Sequence, residues 1–242
     1  MTKNAKITEI FESIQGEGLY IGEKQIFVRF SNCNLNCTYC DTDTSLGKNY
    51  TVEELISELE KFNLKIIHSV SLTGGEPLLN HEFLFEFMPK FKTKYPKIKL
   101  YLETNATLTD NLEKILEYSD IISADIKLKS SGGNFDTMNL HEKFFKKVRE
   151  YRVYCATTKQ FECAEKDLFS KIVFDENITD EEIQKCCDMG RKYNFYLILQ
   201  PKMNKLNSAV SPEVIQKTFD KFLELYKNVR VIPQSHKLIN VE

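Results

Sequence analysis

From residue 25 onward, β-rich apolar runs alternate with amphipathic helical stretches about six times, and this alternation most constrains the fold. The apolar runs fall at 25–30, 65–72, 98–104, 121–127, 168–174, 195–199 and 229–232. Between them, Val52, Leu55, Ile56, Leu59 and Phe62 share one helical face, as do Leu140, Phe144, Phe145 and Val148. Thr51-Val52-Glu53-Glu54 and Thr179-Asp180-Glu181-Glu182 read as capping boxes at helix starts. Ser211-Pro212 is an N-cap followed by proline in the first turn. His81–Lys92 is expected to be helical, with Pro89 limiting its regularity, and 111–118 to be a short helix. Repeated β-loop-α units demand a parallel sheet with helices outside it, and such sheets place ligands at their C-terminal strand ends. Residues 7–14 alternate as a half-buried strand, and Gly16, Gly18 and Gly22 then make a turn.

Nothing marks a second domain. The 242 residues are 42% hydrophobic and 28% charged, enough for one sizeable core, so 1–242 is read as a single domain. Segment 151–166 shows no clear pattern and is read as an insertion or an extended helix pair, and 233–242 as a polar C-terminal tail. A net charge of −2 gives no bulk attraction to nucleic acid or an anionic membrane. The lysines at 90, 92, 94, 97 and 99 read as a solvated face. No apolar run approaches the ~20 residues of a membrane span. The first six residues lack the apolar core of a secretory signal. Seven cysteines without such a signal argue for free thiols in a reducing cytosol, hence a cytoplasmic protein.

Three of those cysteines carry the chemistry. Cys33, Cys37 and Cys40 are spaced C-x3-C-x2-C directly after the apolar run Ile26–Phe30. Three thiolates with no fourth cysteine nearby leave one position open, which suits an iron–sulfur cluster with one free iron. A zinc site borrowing His68 or His81, or three buried free thiols, are the other possibilities at this point. Thr73-Gly74-Gly75-Glu76-Pro77 ends the next strand. Its glycines let backbone approach a ligand, and Glu76 adds a carboxylate able to accept from an amine. A plain strand-to-helix turn is the alternative. Glu103-Thr104-Asn105, Asp125-Ile126-Lys127 and Gln200-Pro201 also follow strands.

C-x3-C-x-aromatic-C after one strand and Gly-Gly-Glu-Pro after the next resemble the radical S-adenosylmethionine (SAM) superfamily. That resemblance implies an incomplete parallel (β/α)6-type barrel. It also implies a [4Fe–4S] cluster on Cys33, Cys37 and Cys40, and SAM chelated to the fourth iron. One electron then cleaves SAM to a 5′-deoxyadenosyl radical that abstracts a substrate hydrogen. Glu12–Gly18, Phe27–Phe30, Cys40-Asp41-Thr42, Glu103-Thr104-Asn105 and Pro233–Lys237 further resemble the branch that makes 7-carboxy-7-deazaguanine from 6-carboxy-5,6,7,8-tetrahydropterin with loss of ammonia. The likeness covers 7–127 and 195–238 well and 151–166 poorly. That branch usually has glycine where Ala106 stands.

Carried over, the resemblance implies that Tyr39, Gly75, Glu76, Ser123, Asp125, Lys127 and Gln200 meet SAM. Gln15, Gly16, Glu17, Arg29, Thr73 and His236 would contact the pterin, with Arg29 forking onto its carboxylate. Thr42 would ligate Mg²⁺. The branch further implies a homodimer and an electron donor such as flavodoxin or ferredoxin. Local alternatives stand beside these roles: Arg29 could pair with Glu17, Thr42 could cap its loop, and the Ser123-Asp125-Lys127 face could hold a buried salt bridge. His68, His81 and His141 are read as structural or exposed. Two rival functions remain open: a radical SAM activase acting on a partner's glycine, and a non-enzymatic iron–sulfur electron-transfer module.

Overall fold

A computed structural model describes residues 3–40, 43, 46–133, 135–158, 167–204, 207–239 and 241. The principal strands are β1 (Asn4–Ile14), β2 (Lys24–Phe30), β3 (Lys48–Thr51), β4 (Ser69–Gly74), β5 (Lys99–Thr104), β6 (Ile121–Asp125), β7 (Asp167–Phe174) and β8 (Tyr196–Pro201). Met203–Asn204 (β9) and Asn207–Ser208 (β10) form a separate two-stranded ribbon, and Val229–Val231 is β11. The helices are α1 (Val52–Leu59), α2 (His81–Lys94), α3 (Leu112–Leu116), α4 (Lys129–Gly132), α5 (Met138–Thr157), α6 (Asp180–Tyr193), α7 (Pro212–Leu225) and α8 (Ser235–Ile239).

The large sheet runs β11-β8-β7-β6-β5-β4-β2-β1-β3. Its strands from β2 through β11 in that order are parallel, as the alternating pattern demands. The sheet ends at β11 and β3 instead of closing, so the barrel is incomplete. One departure is at the N-terminus, where β1 pairs antiparallel with both β2 and β3. A short turn can join only antiparallel neighbours, and the Gly16–Gly22 segment is such a turn.

Both capping boxes form. Thr51 Oγ1 accepts from Glu54 N at 3.2 Å while Thr51 N donates to Glu54 at 2.8 Å, and Thr179 and Glu182 repeat the pair on α6. The outer sheet face packs on the helices. On α2 that face is Phe83, Leu84, Phe87, Met88 and Phe91, and burying each such side chain is worth roughly 1.5–3 kcal/mol. Pro89 does not end α2, because the residues around it hold this apolar face against the sheet. The lysine-rich stretch is a largely exposed face, as expected, and is partly paired: Lys90 binds Glu53 at 2.7 Å and Lys92 binds Asp120 at 3.0 Å.

Inside the barrel a smaller cluster of Tyr101, Ile121, Phe169 and Ile198 packs with Leu19, Tyr20 and Ile232. It fills the interior away from the C-terminal strand ends. The patternless segment resolves in part: 151–157 continue α5, whose buried Phe144, Phe145, Val148 and Cys155 keep helical spacing, and 159–166 lie outside the described residues.

Candidate active site

A cavity of about 420 Å³ opens at the C-terminal ends of the strands, where the parallel topology places a ligand. Its wall includes Cys33, Cys37 and Cys40, so the cysteine loop forms one side of it. Two sets of contacts hold that loop. At its start, Gly75 N donates to Phe30 O and Glu76 N to Asn32 O, each at 2.9 Å. A Cβ on Gly74 would stand 2.5 Å from Phe30 backbone atoms, and one on Gly75 would collide with Asn32 O. Both glycines are therefore required by the root of the cysteine loop packed against them. Asn105 Nδ2 donates to Asn34 Oδ1 at 2.8 Å and reaches Cys33 Sγ at 3.7 Å, and Asn34 donates to Thr107 at 2.9 Å. Toward the other end of the loop, Thr38 N donates to Gly132 O and Thr38 Oγ1 to Ser131 O, both at 3.1 Å, docking it on α4.

The donor set fits an iron–sulfur cluster. Cys33 and Cys40 are exposed, Cys37 is half-buried, and Cys33 Sγ already accepts from Leu35 N at 3.4 Å. Among the described residues no three or more His, Cys, Asp or Glu side chains converge tightly enough for a single metal ion. Neither histidine weighed for zinc lies in the cavity wall. His68 contacts Ser69 at 3.1 Å at the start of β4, the end remote from Gly74, and His81 packs on Phe85. Thiolates spread round a cavity mouth suit a multi-iron cluster and not a closed tetrahedral ion.

Glu76 is placed differently from the sequence expectation. It is fully buried behind the wall, where its carboxylate accepts from Leu78 N at 2.9 Å, Thr104 Oγ1 at 2.8 Å and Asn105 N at 2.7 Å. It ties the end of β4 to the end of β5 and supports the loop that meets Cys33. Burial outweighs these hydrogen bonds and pushes its pKa up to about 7. Ser123 likewise lies buried in the barrel interior and not in the wall. Thr42 falls outside the described residues.

The other expected residues converge on the cavity: Gln15, Gly16, Glu17, Arg29, Tyr39, Thr73, Gly75, Asp125, Lys127, Gln200 and His236 all line it. Lys127 Nζ pairs with Asp125 at 2.9 Å and lies 5.6 Å over the Tyr39 ring. His141 is buried directly behind Lys127. Its Nε2 accepts from Lys127 N at 2.9 Å, so Nδ1 carries the proton and donates to Ala106 O at 3.2 Å. Ala106 has φ +55°, the left-handed region in which a glycine, the residue the resemblance leads one to expect there, carries no strain. Arg29 pairs with Glu9 at 2.6 Å, not with Glu17, because the two face each other across β1 and β2. Its guanidinium lies 4.9 Å over Phe11, which stacks on Phe27 at 5.1 Å, and both rings line the cavity.

Glu17 is taken by a residue that the sequence motifs did not single out. Lys171, 5% exposed at its side chain, stands on β7 with its ammonium 2.5 Å from Glu17, in contact with Glu103 and 3.6 Å from Asp125. Thr73 donates to the other Glu103 oxygen at 3.0 Å, and Gln234 donates to the other Glu17 oxygen at 2.6 Å. Burial alone would lower the Lys171 pKa, but Asp125, Glu103 and Glu17 together raise it well above the usual range. Burial pushes Glu17 up, yet Lys171 and Gln234 outweigh it and hold the carboxylate at about 2. A lone lysine in the apolar run Leu168–Phe174 was the signal available, since a buried ammonium must find carboxylates.

An open parallel barrel with three cysteines at its mouth defines a cluster-bearing partial-barrel protein, and the Radical SAM superfamily profile matches residues 27–186. A 7-carboxy-7-deazaguanine synthase of Archaeoglobus fulgidus is 34% identical over 98% of this chain and 99% of its own. One from Geobacter sulfurreducens is 30% identical over 97% of each chain. The chain belongs to the radical SAM superfamily and, within it, to the 7-carboxy-7-deazaguanine synthase family. The fold agrees: QueE from Escherichia coli superposes with a TM-score of 0.58 at 16% identity, covering 96% of this chain and 94% of that one. A radical SAM methyltransferase from Sphaerobacter thermophilus gives 0.61 at 12% identity, with 93% and 77% covered.

Proposed function

We propose that this chain converts 6-carboxy-5,6,7,8-tetrahydropterin to 7-carboxy-7-deazaguanine with release of ammonia, in 7-deazapurine biosynthesis. The observation that carries it is the placement of Arg29 in the same cavity wall as Cys33, Cys37 and Cys40, with Gln15, Glu17 and Thr73 around it. A guanidinium matches a carboxylate through paired N–H donors, and the planar Phe11–Phe27 stack beside it offers an apolar wall to a pterin ring.

Cys33, Cys37 and Cys40 would hold a [4Fe–4S] cluster, with Asn105 and the Leu35 amide donating toward Cys33. When bound, the cluster supplies the electron that cleaves SAM. Tyr39, Gly75, Asp125, Lys127 and Gln200 would hold SAM, with Glu76 supporting them from behind. The Gln15 side chain is held in the wall at both ends, because its Oε1 accepts from Glu17 N at 3.0 Å and its Nε2 donates to Gln25 at 3.2 Å. His236 closes the wall from the tail. Thr42 belongs to the proposal as a Mg²⁺ ligand beside the substrate. So do a homodimer, a flavodoxin- or ferredoxin-type donor and a cytoplasmic setting. Among the described residues no helix is long and apolar enough to cross a membrane.

The decisive experiment is anaerobic turnover of the carboxypterin by the reconstituted protein with SAM, Mg²⁺ and a reductant. The expected product is 7-carboxy-7-deazaguanine with ammonia, SAM being regenerated. An intact cluster that cleaves SAM yet leaves the pterin unchanged would overturn the proposal.

A further inference from the structure

We propose that Lys171 is a positioning residue: through Glu17 it latches the C-terminal tail onto the cavity, so one buried ammonium sets the shape of the substrate wall. The proposal builds on the function above, because it assigns that wall to the pterin.

Three observations carry it. First, Lys171 lies beneath the wall, not in it, and its ammonium reaches carboxylates from three separate places: the turn after β1, the end of β5 and the end of β6. Without it, Glu17, Glu103 and Asp125 would crowd one buried space, with Lys127 already paired to Asp125. Like charges in low dielectric repel strongly, so the three would separate or take up protons.

Second, Glu17 divides its two oxygens. Oε2 meets Lys171, while Oε1 accepts from Gln234 at 2.6 Å and Gln200 at 3.4 Å. The carboxylate form, an acceptor at both oxygens with no proton of its own, suits this all-donor surrounding. The ammonium therefore orients the group that receives the tail.

Third, the tail is fitted to that turn. Ser235 N donates to Gly16 O at 2.9 Å and Ser235 Oγ to the same oxygen at 3.1 Å. His236 packs so closely on Gly16 that no side chain fits there. Gln234, His236 and Lys237 then line the cavity. The chain of contact runs from Lys171 to Glu17 to Gln234, and from there to His236 at the wall.

Hydrogen–deuterium exchange at the amides of residues 234–239 in the full chain, measured without substrate, reads the latch directly. In Lys171→Met these amides should exchange about tenfold faster, and in Lys171→Arg within about threefold of the parent, because the charged contact is kept. The KM for the carboxypterin should rise about tenfold in Lys171→Met, with iron content unchanged. Unchanged exchange in folded Lys171→Met would overturn the latch. If that variant does not fold, Gln234→Ala decides: faster tail exchange supports the latch and parental exchange overturns it. If the parent fails to turn over the pterin, the function above falls, while the exchange result still decides the latch.

Discussion

At the scale of single residues, Arg29 and His141 show how one side chain is tuned by its surroundings. Glu9 takes one edge of the Arg29 guanidinium and Phe11 one face, leaving other N–H donors for a ligand. Arg29→Lys keeps the charge but loses the fork. The KM for the carboxypterin is expected to rise about tenfold, with a smaller change in kcat, since the lost contact is one of binding. A parental KM in steady-state assays would remove Arg29 from the carboxylate site. His141 is buried and neutral, and burial lowers its pKa from 6.5 to about 4. The unfolded chain therefore binds an extra proton between those values. Stability from this group is full above pH 6.5 and is lost as pH falls toward 4, by about 3 kcal/mol in all. Glu76, with its raised pKa, works the opposite way over pH 4.5–7. The test is thus a difference: in urea melts the stability of the parent relative to His141→Gln should fall on acidification across that window, and parallel curves would refute it. Cys33, Cys37 and Cys40 all line the cavity, and that they share one site was legible from spacing alone. The placement of Glu76 behind the wall was not, because a carboxylate after two glycines looks the same in sequence whether it faces a ligand or three backbone and hydroxyl donors.

At the scale of elements, the period of the apolar residues revealed the parallel core strands and their helices. It could not reveal the antiparallel pairing of β1, because a half-buried alternating strand reads alike in either direction. Strand ends shifted by a few residues, as from 65–72 to Ser69–Gly74, where backbone pairing and not hydrophobicity decides the limit. The Gly74–Gly75 turn shows the same limit: sequence pointed to close approach, and the partner is the cysteine loop itself. Gly75→Ala would drive a methyl into Asn32 O, so the loop root must move. Overpacking of this kind costs about 1–3 kcal/mol. The variant should melt lower and, after anaerobic reconstitution, carry well under the parental iron. Parental iron content and melting temperature together would show that the turn is not what seats the loop.

At the scale of the whole molecule, the cavity wall is drawn from nearly the full length of the chain, from Phe11 to Lys237. The β1–β2 turn, the cysteine loop, the ends of β4 to β8 and the tail meet only when the sheet is formed, so a ligand touching them all must bind the folded state far better than the unfolded one. At 100 times its Kd, such a ligand stabilises by about 2.7 kcal/mol. For a chain of this size each kcal/mol raises Tm by about 2–4 °C, so the expected shift is about 5–10 °C. The measurement is an anaerobic melt of the reconstituted protein with SAM, with and without 6-carboxy-5,6,7,8-tetrahydropterin. A tetrahydropterin lacking the 6-carboxylate should give a much smaller shift at the same concentration, because Arg29 would then be left beside Glu9 with no second anion. Equal shifts from the two pterins would mean that the carboxylate is not recognised. The specificity placed at the cysteine side of this cavity would then have to lie elsewhere on the wall.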